Sequence, residues 1–140
     1  MSAPAAYLLD TNFLSETRKK KADPGVMAFL RAADSSSLYV SVLTLGELRK
    51  GVIGKRRTDP VAARSIAAWV TGLETGFADR ILGVDLAAAR MWGDWSGERP
   101  RPVVDTLLAA TAVLHGLTFV TRNTRDVGGI PVKVLNPWTE

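Results

Sequence analysis

The sequence predicts an α/β fold in three layers, with a central parallel sheet of about five strands covered by helices on both faces. Short apolar runs alternate with longer stretches of helical periodicity, which demands crossover connections and hence parallel strands. The helical stretches also carry start signals, twice as an Asp-Pro pair, at Asp23-Pro24 and Asp59-Pro60. With 140 residues, 46% of them hydrophobic, the chain fits one compact domain with a substantial core.

The first apolar run, Tyr7-Leu8-Leu9, stops at Asp10 and reads as a buried strand. Thr11 or Asn12 then caps a helix that carries Phe13 and Leu14 and ends in the basic stretch Arg18 to Lys21. Asp23-Pro24 opens a second helix with Val26, Met27, Phe29 and Leu30 on its apolar face, broken at Ser35-Ser36-Ser37. Leu38 to Val42 is the second strand. Thr44-Leu45-Gly46-Glu47 has capping-box spacing and opens the next helix. Asp59-Pro60 starts a fourth, running through Ile66, Trp69, Val70 and Leu73 to about Gly76.

Arg80 to Val84 is a short third strand, and Leu86 to Trp95 a helix. Gly97 to Pro102 reads as a loop. Val103 to His115 is a strongly apolar helix closed by Gly116. Thr118 to Thr121 and, after a Gly128-Gly129 turn, Val132 to Leu135 supply the last two strands.

Composition excludes several function classes. There is no cysteine and one histidine, so disulfides, thiolate zinc sites and thiol nucleophiles are ruled out. No apolar run approaches the ~20 residues of a membrane helix, and Ala5 to Leu9 is too short for a signal peptide, so a cytoplasmic protein is expected. The net charge of +4 points to a polyanionic partner, with basic residues clustered at Arg18 to Lys21, Lys55 to Arg57, Arg99 with Arg101, and Arg122 with Arg125. Taken alone, each cluster reads equally well as a solvated helix end.

Four acids carry the functional signal: Asp10, Glu47, Asp105 and Asp126. In parallel α/β sheets ligands bind beyond the carboxyl ends of the strands. Asp10 and Asp126 follow strands, whereas Glu47 and Asp105 stand in the first turns of helices that begin at that same edge. Each acid also has an ordinary explanation as a helix cap, a capping-box partner, a dipole partner or a turn residue. Independent caps, however, have no reason to gather at one edge. Gathered carboxylates repel one another unless a hard cation lies between them, and the lack of Cys restricts ligands to oxygens, which suits Mg²⁺ or Mn²⁺. Such an ion polarises a scissile phosphate and activates water. Arg122 and Arg125 are candidates for phosphate binding, and Thr11 and Asn12 for orienting Asp10 or holding a metal-ligating water. His115, at the end of an apolar helix, and the packing residues Trp92 and Trp95 carry little weight.

In order and spacing, LLDTN, the ELRKG helix, VVDTLLAATA, FVTRN and LNPW resemble the PIN domain family, specifically VapC-type toxins of type II toxin–antitoxin pairs. The resemblance runs from Tyr7 to Trp138. It implies a three-layer α/β/α PIN-like fold and a Mg²⁺- or Mn²⁺-dependent endoribonuclease acting on tRNA or rRNA. It also implies a homodimer neutralised by a VapB-type antitoxin. On this resemblance Asp10, Glu47 and Asp105 match the three principal acids. Many relatives carry Asp directly after the Thr-Arg pair, where this chain has Asn123; Asp126 then competes with Asn123 for the fourth corner. Two other readings remain at this point. One is a non-catalytic RNA-binding or antitoxin-sequestering module with a degenerate site. The other is a haloacid-dehalogenase-like phosphatase, disfavoured because Asn12 stands where that chemistry needs a second Asp.

Overall fold

The computed structural model describes residues 4–139. Five strands, β1 (Tyr7–Leu9), β2 (Leu38–Ser41), β3 (Ile81–Leu82), β4 (Thr118–Val120) and β5 (Val134–Leu135), form one sheet in the order β3-β2-β1-β4-β5. Every neighbouring pair is parallel, as the alternation of elements requires. Among the described residues six α-helices accompany them: α1 (Thr11–Thr17), α2 (Pro24–Ala32), α3 (Val42–Arg56), α4 (Pro60–Gly76), α5 (Leu86–Glu98) and α6 (Val103–His115).

Strand side chains alternate between the two faces, and the core divides accordingly. Leu9, Val40 and Val120 face one layer, where α1 to α4 contribute Phe13, Val26, Leu48 and Val70. Leu8 and Phe119 face the other, packed against Leu108, Ala109 and Ala112 of α6. Phe13 is fully buried, edge-on to Phe29 at 5.7 Å and to Trp138 at 6.3 Å between ring centroids. No helix among the described residues is long and apolar enough to cross a membrane.

Several boundaries differ from the sequence reading. Asp10, not Thr11 or Asn12, caps α1, because its carboxylate receives the Thr11 N–H while Thr11 and Asn12 are already helical. Val42 belongs to α3 rather than to β2, for Ser41 ends the strand and caps the helix with no residue between. The Thr44–Glu47 capping box therefore does not form, and Glu47 stands one turn inside α3. The serines 35–37 make a 3-10 turn capped by Asp34. Helix α5 continues through Gly97 and Glu98, which shortens the anticipated loop. The edge strands β3 and β5 have only two residues each.

Asp23 caps α2 through the N–H groups of Gly25 and Val26 and also receives the Thr139 hydroxyl at 2.7 Å, clasping the segment after β5. A Cβ on Gly25 would lie 2.1 Å from the Pro137 carbonyl oxygen, a backbone atom that cannot swing aside. Gly25→Ala should therefore cost roughly 1–3 kcal/mol in urea denaturation. Gly72→Ala, on open α4 surface with nothing within 4 Å of the new carbon, should be neutral or stabilising. Equal effects of the two would contradict the close approach.

Candidate functional site

The carboxyl edge of the sheet collects the acids because three separate elements terminate or begin there. β1 ends directly at Asp10, whose backbone N–H donates to the Val120 carbonyl at 3.0 Å, fixing it beside β4. Its carboxylate is almost completely buried and takes two hydrogen bonds, from the Thr11 N–H at 2.7 Å and the Thr121 hydroxyl at 2.7 Å. Helix α6 runs back against the strands, so its first turn puts Asp105 at this edge. A 3-10 turn, Thr124–Val127, follows β4 and carries Asp126. Glu47, exposed in the second turn of α3, accepts from the Thr11 hydroxyl at 2.5 Å.

Electrostatics tie the four together. Burial pushes the Asp10 carboxyl above its ordinary range, opposed by the Thr121 and Thr11 hydrogen bonds and reinforced by the charges of Glu47 and Asp126. Asp105 is raised to about 6, mainly by burial and then by Asp10 and Asp126, with Glu47 adding a smaller push. Asp126 also adds to the upward push on Asp105 as a neighbouring side chain able to bond to it.

The donor set fits a hard divalent cation: every candidate ligand is an oxygen, and burial together with the neighbouring carboxylates raises the proton affinity of Asp10 and Asp105. Among the described residues, no three or more acids are already gathered to hold an ion. Mg²⁺ is ordinarily held by one or two carboxylates plus water and substrate, so a site of this kind does not require three acids already in place.

A raised pKa has a definite sign for stability. The unfolded Asp105 ionises near its ordinary value of 3.8 while the folded one holds its proton to about 6. Its contribution is full below the lower value and is lost as pH rises through the higher. Glu16, Asp23 and Asp34 are shifted downward by their hydrogen bonds and act oppositely, but only at more acidic pH. In chelator, the melting temperature should rise as pH falls from 7 to 5, and Asp105→Asn should flatten that slope. A wild-type profile that is flat or falls toward pH 5 would contradict the cluster.

The predicted supporting residues divide. Thr11 bridges the site as helix residue and Glu47 partner, whereas Asn12 is exposed on the first turn of α1. Asn123 enters through its backbone: its N–H donates to the Thr121 hydroxyl at 3.0 Å, which in turn donates to Asp10. Arg122 lies 5.6 Å over the Trp138 ring, and Arg125 lines a small hollow of about 350 Å³ with Asn123 and Asp126. Sequence reading passed over Thr121 and Thr44, both buried, of which Thr44 lies 3.3 Å from the Thr11 hydroxyl. The usable signal for Thr121 was a polar residue closing an apolar strand at the same edge as Asp10.

Comparison with known proteins bears on the fold and the family. The profile of the PIN domain matches residues 7–127. The VapC ribonuclease Y4jK of Sinorhizobium fredii is 34% identical, over 94% of this chain and 96% of its own. Toxin FitB of Neisseria gonorrhoeae is 32% identical over 94% of this chain and 97% of its own. Among solved structures, FitAB bound to an IR36 DNA fragment superposes with a TM-score of 0.84 at 28% identity, covering 96% of both chains. FitAcB from Neisseria gonorrhoeae gives 0.82 at 29% identity, covering 96% of this chain and 99% of that one.

Proposed function

The chain belongs to the PIN domain family, alongside VapC ribonucleases and FitB toxins, and from that premise we propose that it is a metal-dependent endoribonuclease, the toxin of a toxin–antitoxin pair. The observation that carries the reading is the electrostatic coupling of Asp10, Glu47, Asp105 and Asp126 at one sheet edge. Asp10, Glu47 and Asp105 are the residues to hold Mg²⁺ or Mn²⁺, with Asp126 completing the site. When bound, the ion supplies Lewis-acid polarisation of the scissile phosphate and a more acidic water.

The chain's own groups do the positioning. Thr121 and the Thr11 N–H fix both oxygens of Asp10, so the carboxylate has one orientation in which to present its remaining lone pairs. Thr11, through its hydroxyl, holds Glu47 toward the same point. Asp105, its carboxyl pushed up to about 6 by burial and by the neighbouring acids, gains the counter-charge it lacks when a cation binds. Arg122 and Arg125, on the turn after β4, are the residues proposed to meet the phosphate backbone. Neutralisation by a cognate VapB-type antitoxin, action on tRNA or rRNA, and assembly as a homodimer complete the proposal.

The test is cleavage of total RNA by purified, antitoxin-free protein with Mg²⁺ or Mn²⁺. Activity should vanish in excess chelator and fall by about two orders of magnitude in Glu47→Gln, in line with the several kcal/mol that metal coordination contributes. Undiminished cleavage in chelator would sink the metal-dependent reading. RNA binding without cleavage would favour a non-catalytic module.

A further inference from the structure

Beside the acid cluster a groove of about 420 Å³ opens between α1, α3 and α4. Thr11 and Glu47 form one end, so it is continuous with the site. Its floor is apolar, made of Leu48, Ile66 and Trp69, and its rim is basic, with Arg18, Lys19 and Lys55. Lys19 is engaged by Glu16 at 2.9 Å, but among the described residues neither Arg18 nor Lys55 has a carboxylate partner. Arg18 is instead held over the indole: its guanidinium carbon sits 5.7 Å from the Trp69 ring centre, and the group donates to the Ser65 hydroxyl at 2.8 Å. A guanidinium plane backed by an indole is a surface on which an unpaired base stacks, and a neighbouring lysine meets the phosphate.

Resting on the ribonuclease reading, we infer that this groove carries a single-stranded RNA segment flanking the scissile bond, with a base against the Arg18–Trp69 stack and a phosphate at Lys55. Charge complementarity and continuity select this occupant. One strand satisfies the basic rim and also delivers a phosphodiester to the acids at the groove's end. The hollow is of the size that encloses a small ligand, so it takes about one nucleotide.

Three variants separate this from general charge attraction. Gly51 lines the groove and has nothing within 4 Å of a would-be Cβ, so Gly51→Leu plugs the space while removing a helix-weakening glycine. Lys55→Glu reverses the rim. Lys133→Glu makes the same charge change beside β5, outside the groove, and serves as control. Binding of a fluorescein-labelled single-stranded oligoribonucleotide of mixed sequence is read by anisotropy in chelator, where no cleavage is needed.

Gly51→Leu and Lys55→Glu should raise Kd about fivefold or more, Lys55→Ala should reduce the salt slope by about one, and Lys133→Glu should leave Kd within about twofold. Groove variants that bind like wild type overturn the inference. So does a Lys133→Glu loss equal to that of Lys55→Glu. Unchanged RNA affinity with loss of antitoxin inhibition assigns the groove to a protein partner and likewise overturns it. Because binding is measured without cleavage, a wild type that binds through the groove yet never cuts defeats only the nuclease reading, and one that cuts while its groove variants bind normally defeats only the groove.

Discussion

Asp10→Asn should lower RNA cleavage by about 10²–10³-fold while the protein remains folded. The change is nearly isosteric. An asparagine at the cap position still accepts the Thr11 N–H, as Asn and Asp are equivalent N-caps, and removing a buried charge relieves the desolvation that raises the Asp10 pKa. What disappears is the negative charge nearest the centre of the cluster, in contact with both Thr11 and Thr121 and in the fields of Glu47 and Asp126. A loss of 10²–10³ corresponds to about 3–4 kcal/mol of transition-state stabilisation, within the range of one metal-coordinating group. The measurement is single-turnover cleavage beside thermal denaturation of the same preparation. Near-wild-type cleavage by the variant would remove Asp10 from the reacting centre; low activity with a lowered melting temperature would make it a structural residue instead.

Phe13→Ala should be the most damaging single change to stability, by about 3–5 kcal/mol. Phe13 is fully buried in the first turn of α1 and joins three parts of the layer: α1 itself, Phe29 of α2 and Trp138 near the C-terminus. Its loss leaves a cavity that two aromatic edges cannot fill by rotating, since each is held by other neighbours. Because Phe13 lies three residues from Asp10, the variant tests whether the site depends on this packing. Chemical denaturation gives the stability, and a cost under about 1 kcal/mol would mean that the core collapses around the gap.

The sequence revealed the elements more completely than the junctions between them. Leu9-Asp10 was legible because a buried apolar run stops at a charge, and the α6 start at Val103 because a long apolar helix follows a Pro-rich segment. The start of α3 was not. Ser41 is at once the last residue of β2 and the cap of α3, so the change of period from two to 3.6 happens with no intervening turn signal, and the Thr44–Glu47 spacing imitated a start one turn later. The consequence falls on Glu47, which serves Thr11 across the site instead of capping its own helix. The edge strands β3 and β5 are shorter than their β-type sequence suggests, because only Ile81–Leu82 and Val134–Leu135 find partners along the neighbouring strand. Thr121 stayed hidden for a different reason: its meaning depends wholly on Asp10, a contact no local pattern encodes.

That contact also has a consequence for how the protein is made. Thr121 reaches Asp10 across 111 positions, and the strand that ends at Asp10 is the middle strand of the sheet, flanked on one side by β2 and on the other by β4. A ribosome delivers the first acid 111 residues before its buttress. Until β4 emerges, β1 lacks one of its two neighbours and Asp10 lacks both the Val120 and the Thr121 bonds. A nascent chain that has not yet reached β4 thus holds three of the four acids without the frame that aims them, and the acid edge becomes competent only after β4 has emerged and paired.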